Sequence, residues 1–360
     1  MRLQTLGIVA AVTAASSAMA GVIMNGDIVV ERVGGTSAGG AGTSALGSGA
    51  ADVYLDVYRN TNGTWSRNTT IALPGTGSGA KLTASGSATS EGFINFSMNK
   101  QSITVFGYNA ASGTATVKSA TDRTLATVNL DTGAINTKTG AWGAGGTNAR
   151  SAIYTGNGFY FTNDSAVSWV ADSASTATTI NSNNWRVVGT DGTNLMTSTG
   201  AGSTRGVSQI GSGLPTSAVA TATPLINTAG AGSVYGFAML DTDGNGAADL
   251  AYTADSTAGL TKYVLSGSTW TSKGTIATAI AGLSAYVSGT NVIISATSAN
   301  GATLYAFTDS SLSGNLTGSL TSIATAATNT AFRGVVAVPA PGAAALVGLA
   351  GLITNRRRKA

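Results

Sequence analysis

The residues with the most pointed spacing run Asp241-Thr242-Asp243-Gly244-Asn245-Gly246-Ala247-Ala248-Asp249. They place oxygen donors at positions one, three, five and nine, with glycine at six for a tight turn. That pattern suits Ca²⁺, and Ala247 at position seven would offer its backbone carbonyl. The twelfth position is Tyr252, where an EF-hand needs a bidentate Glu. A single hairpin loop of this kind would hold calcium as a structural cofactor, not a catalytic one. A metal-free Asp/Gly turn between Met239-Leu240 and Leu250-Ala251 fits the same residues.

Other chemistry is sparse. The chain has no His and no Cys. Ser-His-Asp and Cys-His nucleophiles are therefore excluded, and so are histidine-built zinc or copper sites. Asp52 and Asp56 share one strand face about 13 Å apart, too far for a typical glycosidase pair. They read as exposed strand decoration. Gly-rich pieces lack a following Lys-Ser/Thr and helix, so no nucleotide loop is expected. Trp142, in Gly140-Ala141-Trp142-Gly143-Ala144, sits in a loop too poor in side chains to pack itself. It is the best candidate for an exposed stacking contact with a sugar.

The net charge of +4 misleads. Arg2, Arg356, Arg357, Arg358 and Lys359 lie at the two ends. Residues 21–337 carry 14 basic and 15 acidic side chains, all scattered. Such a body has no electrostatic footprint for nucleic acid. Charged residues make up only 9% of the chain, and Gly, Ala, Ser and Thr take their place.

These residues must be positioned by strands. Asp27 to Val33 reads as one strand, and Asp52 to Tyr58 alternates polar residues with β-formers. Between them, 34–51 is almost wholly Gly, Ala, Ser and Thr, and is expected to be a flexible loop. Hairpins then recur. Phe93 to Ser97 meets Ile103 to Tyr108 across Asn99-Lys100. Ser151 to Tyr154 meets Phe159 to Phe161 across Gly156-Asn157-Gly158. Arg186 to Val188 meets Asn194 to Met196 across Asp191-Gly192. Ala285 to Val287 meets Val292 to Ile294 across Gly289-Thr290-Asn291. Each turn carries the Gly or Asn that positive φ demands. The spacing is close to the roughly 40–50 residues of a four-stranded propeller blade. The expectation is an all-β domain over 21–337, a single propeller of six or seven blades. The alternative is a parallel β-helix, which would show shorter coils and stacked apolar rungs.

Both ends read as sorting segments. Met1-Arg2, the apolar run Leu6 to Val12 and the small-x-small site Ala18-Met19-Ala20 make residues 1–20 a signal peptide, helical in its apolar part, with Gly21 as the mature N-terminus. At the other end, 338–360 holds Pro339-Ala340-Pro341, a short apolar helix over Ala343 to Thr354, and Arg356-Arg357-Arg358-Lys359. The apolar run is short of the roughly 20 residues that span a bilayer comfortably. The basic cluster would stay on the cytoplasmic side.

This tail resembles the PEP-CTERM sorting signal read by bacterial exosortases, with Ala340 where the family's Pro-Glu-Pro has Glu. The body resembles exported PEP-CTERM proteins of the planctomycete type in ordered stretches. These are Ala88-Thr89-Ser90-Glu91-Gly92, Asn148-Ala149-Arg150-Ser151-Ala152, Gly211 to Thr216, Tyr235-Gly236-Phe237, Leu250 to Asp255, Gly259 to Tyr263, and Asn329 to Val335. The resemblance implies one propeller-like domain at the cell envelope or outside it, anchored by its tail or released. Its partners would be signal peptidase, an exosortase-type enzyme, and exopolysaccharide or other surface proteins. It carries over no catalytic residue. The expected function is structural or interactive display without catalysis. The rivals are a glycan-binding module and a polysaccharide-active propeller enzyme. An Asp/Glu, Tyr and Arg cluster at one end of the channel would mark the enzyme. Exposed aromatics alone would mark the binder.

Mass spectrometry of the exported protein is expected to find Gly21 at the N-terminus. An intact Met1 in that fraction would remove the signal-peptide reading.

Overall fold

The computed structural model describes residues 21–339, apart from 121, 144–145, 201, 203–204 and 229–231. The signal segment with Ala18 and Ala20, and the tail with Pro341, Arg356, Arg357 and Arg358, lie outside the described residues. So do both expected terminal helices.

The described chain is all-β, with no α-helix. One larger sheet contains β1 (Ile28–Val33), β2 (Ala50–Thr61), β3 (Thr64–Ala72), β4 (Thr83–Ser85), β5 (Asn95–Phe96), β6 (Ser102–Tyr108), β7 (Arg123–Asn129), β8 (Ile135–Gly140) and β25 (Ala331–Ala337). Four sheets of four strands follow in chain order. The first has β9 (Ser151–Tyr154), β10 (Gly158–Thr162), β11 (Ala166–Ala171) and β12 (Thr178–Ser182). The second has β13 (Val188–Thr190), β14 (Leu195–Thr199), β15 (Gly206–Ile210) and β16 (Ala222–Asn227). The third has β17 (Val234–Leu240), β18 (Leu250–Asp255), β19 (Gly259–Ser266) and β20 (Thr269–Ile276). The fourth has β21 (Ile280–Ser288), β22 (Asn291–Ser298), β23 (Thr303–Asp309) and β24 (Thr321–Thr325). Each of these four is a simple antiparallel meander. Meanders of this kind rule out a parallel β-helix.

All four expected hairpins form, with Phe96 opposite Ile103, Tyr160 opposite Ile153, Gly189 opposite Met196, and Tyr286 opposite Ile293. Gly156, Gly192 and Gly289 take the positive φ their turns require.

The two ends of the described domain meet in the larger sheet. Strand β25 pairs with β1, Val336 opposite Val29, and β1 pairs with β2, Val29 opposite Val57. The first strands of the sheets adjoin in succession: β25 lies against β5, β5 against β9, and β9 against β13. Strand β17 lies against β14 and against β21, and β21 lies against β25. Hydroxyl groups link several neighbouring sheets. Thr162 Oγ1 of β10 donates to the Arg186 carbonyl at 2.8 Å. Ser198 Oγ of β14 donates to the Tyr235 carbonyl, and Thr297 Oγ1 of β22 to the Arg333 carbonyl, each at 2.5 Å.

The 34–51 segment differs from its expectation. Its backbone is held by donors from elsewhere: Arg32 reaches the Gly34 and Thr36 carbonyls, and Arg67 reaches those of Ala38 and Gly39. Gly42 N–H donates to Thr328, Val117 N–H to Ser48, and Leu46 packs on the core. Backbone hydrogen bonds replace the apolar contacts its composition cannot supply. Strand β2 then begins at Ala50, inside the segment.

Close approach of the first strands needs small residues. A methyl group on Gly334 would lie 2.6 Å from the Gly92 carbonyl oxygen and against the Ile94 nitrogen, all backbone. Gly334→Ala is expected to destabilise the protein by about 2–3 kcal/mol, as overpacking does. Gly79→Ala, with open space around it, is expected to stay within about 0.5 kcal/mol. Denaturant midpoints of the two variants check this.

Candidate functional site

The first strands converge on a cavity of about 520 Å³. Phe96 and Met98 come from the β5 end, Ile153 from β9, Met239 from β17, Tyr286 from β21 and Val336 from β25. Gly189 and Thr190 of β13 complete the wall. Its charged residues are Lys100, Asp191 and Asp241, and Pro339 stands at its edge. Apolar walls with a few charged groups are the usual build of a ligand pocket. Asn95 ties three sheets together beneath it. Its Nδ2 donates to Ser151 Oγ and the Ala152 carbonyl, each at 2.9 Å, and to the Val188 carbonyl at 3.1 Å. Under the cavity, Phe93, Val187 and Ala281 form a buried apolar floor, with Tyr235 and Phe237 packed against it.

Beyond that floor lies a group of buried ionisable side chains. Glu31 and Glu91 are both buried. Neither carboxylate oxygen of Glu31 has a hydrogen-bond partner among the described residues. Burial pushes its pKa well above the usual value, Arg333 pulls it back, and Glu91 raises it further. Glu91 accepts the Tyr108 hydroxyl and, at 3.1 Å, the Ser85 N–H. Burial still outweighs these bonds and raises its pKa to about 7. Tyr108 in turn is pushed above its ordinary value, by burial first and then by the Glu91 charge. The Arg123 guanidinium stacks 4.4 Å from the Tyr108 ring centroid. Burial lowers the Arg123 and Arg333 pKa values.

The calcium loop stands apart from this group, at the cavity edge. The strands β17 and β18 that carry it are the Met239-Leu240 and Leu250-Ala251 pair read in the sequence. Its oxygens already face backbone donors. Asp241 accepts from the N–H groups of Gly244 and Gly246, each at 2.8 Å, and the Gly246 bond chiefly holds its pKa below the usual value. Asp243 accepts from Asn245, and Asn245 from Ala247. Asp249 accepts the Thr242 N–H at 2.9 Å and its hydroxyl at 2.6 Å. Among the described residues no three acidic side chains converge as metal ligands. In the described structure the loop's carboxylates bond to N–H groups within the Asp/Gly turn.

Two other sequence readings change. Trp142 is buried, 8% exposed, and not a surface contact. Its ring packs 5.8 Å from Phe161, and its indole N–H donates to the Ser175 carbonyl at 3.1 Å. Its loop has few side chains of its own, so the ring is covered by the neighbouring sheet instead. Asp56 is fully buried, not strand decoration. It accepts Arg32 Nε at 2.6 Å and Thr70 Oγ1 at 2.8 Å. Of the sorting residues, Gly21 lies beside Asp131, and Pro339 lies at the cavity.

Sequence spacing missed Glu31, Tyr108, Arg123 and Arg333, because each comes from a different stretch of chain. One signal was present. The stretches that carry the resemblance contain Glu91-Gly92, Arg150-Ser151, Tyr235-Gly236 and Arg333-Gly334, a large side chain followed by a small one. All four pairs lie on or just before the converging strands. No family model matches the chain, and no curated protein is similar to it.

The raised carboxyls make stability depend on pH. An unfolded Glu titrates near 4.3, whereas folded Glu91 keeps its proton to about 7. The native state therefore binds the extra proton between these values, and stability falls as pH rises through that window. The fall is about 3 kcal/mol for Glu91, with Glu31 acting in the same direction. With no histidine in the chain, few other groups titrate there. Urea midpoints are expected to drop from pH 4.5 to 7, and to drop less in Glu91→Gln.

Proposed function

We propose that the chain is a six-bladed β-propeller, exported and displayed at the cell envelope, that acts by binding and not by catalysis. Four blades are the four-stranded meanders. The larger sheet supplies the other two, β25-β1-β2-β3 and β5-β6-β7-β8, with β4 bridging them. The first of these joins the chain's two ends, which supports closure of the circle. The succession of neighbours from β25 through β5, β9, the β13–β14 pair, β17 and β21 back to β25 supports it as well.

The observation that carries the binding role is the apolar cavity lined from each of the six proposed blades. Its edge at Pro339 is also where the tail leaves the domain. On the sorting reading, anything that holds the tail at a membrane also holds this mouth near it. The resemblance to PEP-CTERM proteins supports export, signal-peptide removal and an exosortase-type partner. The occupant would be an envelope component such as a surface glycan or protein.

The Glu31, Glu91, Tyr108 and Arg123 group is the composition that would favour the rival enzyme. Its burial speaks against that role. Glu31, Arg123 and Tyr108 are at most 1% exposed, so a substrate has no access to them.

Replacing Arg356, Arg357 and Arg358 together by Gln is expected to deplete the protein several-fold from the membrane fraction, because the positive stop is lost. Unchanged fractionation would remove the sorting reading. A mature chain that still ends at Ala360 would mean a permanent anchor.

A further inference from the structure

Two arginines stand at the end of the converging strands opposite the cavity. Arg150 directly precedes β9, and Arg186 lies two residues before β13. Arg150 is 4% exposed. Its Nη1 donates to Asn184 Oδ1 at 2.6 Å and to the Trp185 carbonyl, while its Nε has no partner among the described residues. The Arg186 guanidinium stacks 4.7 Å from the Tyr235 ring centroid. Its Nε is also buried and unbonded. Among the described residues neither arginine forms an ion pair.

The nearby acids are engaged elsewhere. Asp164 pairs with Lys118 at 3.1 Å and accepts the Asn148 N–H at 3.0 Å. Glu91 is bonded to Tyr108 and Ser85. Burial, followed by the Arg186 charge, lowers the Arg150 pKa to about 10. Arg150 is withdrawn from water, Arg186 is half-buried, and each keeps a buried Nε without a partner among the described residues, an arrangement that is costly without a counter-charge.

We propose that Arg150 and Arg186 form a binding site for a small oxyanion, a carboxylate or phosphate group. A guanidinium offers such a group charge-assisted hydrogen bonds in a fixed planar geometry. Arg186, which is only half-buried, gives the anion its approach, and the Tyr235 ring fixes the plane of that guanidinium. The apolar floor of Phe93, Val187 and Ala281 separates this site from the cavity. The site does not depend on how the chain is sorted or on what fills the cavity.

Isothermal titration of the whole mature protein tests this at pH 7 and constant ionic strength in chloride. Inorganic phosphate, acetate and glucuronate are titrated separately. Saturable binding of at least one of them, one per chain, is expected. Phosphate alone would identify a phosphate-bearing ligand; acetate or glucuronate would identify a carboxylate. Arg186→Gln is expected to weaken binding at least tenfold. Lys100→Gln, which removes the same charge at the cavity end, should leave it unchanged. If Arg186→Gln fails to fold, Arg186→Lys keeps the charge, loses Nε, and is expected to weaken binding severalfold. No saturable binding of any of the three anions would overturn the proposal. So would equal weakening in Lys100→Gln, which would mark a general charge effect.

Discussion

Everything in this molecule depends on one antiparallel pairing, that of β25 with β1. It joins residues 331–337 to 28–33 and so closes almost the whole described chain into one loop. Closing a loop of that length carries an entropic cost of several kcal/mol, though the cost grows only slowly with length. Buried valines offset it: Val29, Val30, Val33, Val335 and Val336 are each at most 3% exposed. The same two strands carry Glu31 and Arg333, so the pairing also assembles the buried ionisable group. A register slip of one residue would move every one of these side chains to the opposite face.

The scarcity of charge has a structural counterpart. Eleven of the 29 charged residues between 21 and 337 are buried, although such residues are ordinarily on the surface. Some form tight pairs. Arg32 meets Asp56, and Lys262 meets Asp309 at 2.8 Å, with Tyr252 donating to the same carboxylate oxygen at 2.6 Å. Others, such as Arg32, Arg150 and Arg333, hold backbone carbonyls of the inner loops. Charges here act as cross-links between sheets and loops. In a chain without disulfides, these contacts and the hydroxyl bonds between sheets add to the apolar clusters that span neighbouring sheets.

The converging strands therefore have two unlike ends. One opens as an apolar cavity, from whose edge the tail departs. The other carries guanidinium groups over a closed apolar floor. An array of sheets like this can serve as a scaffold through either end, and nothing requires both to bind the same thing. The acids between them are deeply buried, and their raised pKa values tie stability to pH.

The sequence by itself determined the first strands and four of the hairpins. An apolar run marked β1, alternation marked β2, and Asp191-Gly192 and Gly289-Thr290-Asn291 marked turns, because strand period and positive φ are local properties. It also determined the absence of histidine and cysteine chemistry. Only the tertiary structure decided which residues meet. Asp56 looked like surface decoration because its partner, Arg32, lies 24 positions away. Trp142 looked exposed because the Phe161 and Ser175 groups that cover it belong to the next sheet. The 34–51 segment looked loose because its hydrogen-bond donors come from residues such as Arg67 and Val117. The Asp241 to Asp249 loop has calcium-like spacing, and only the structure shows that backbone N–H groups of Gly244 and Gly246 bond the Asp241 carboxylate. Glu31 and Arg333 reach the Glu91–Tyr108 pair only because the first and last described strands pair, and that contact has no local signature.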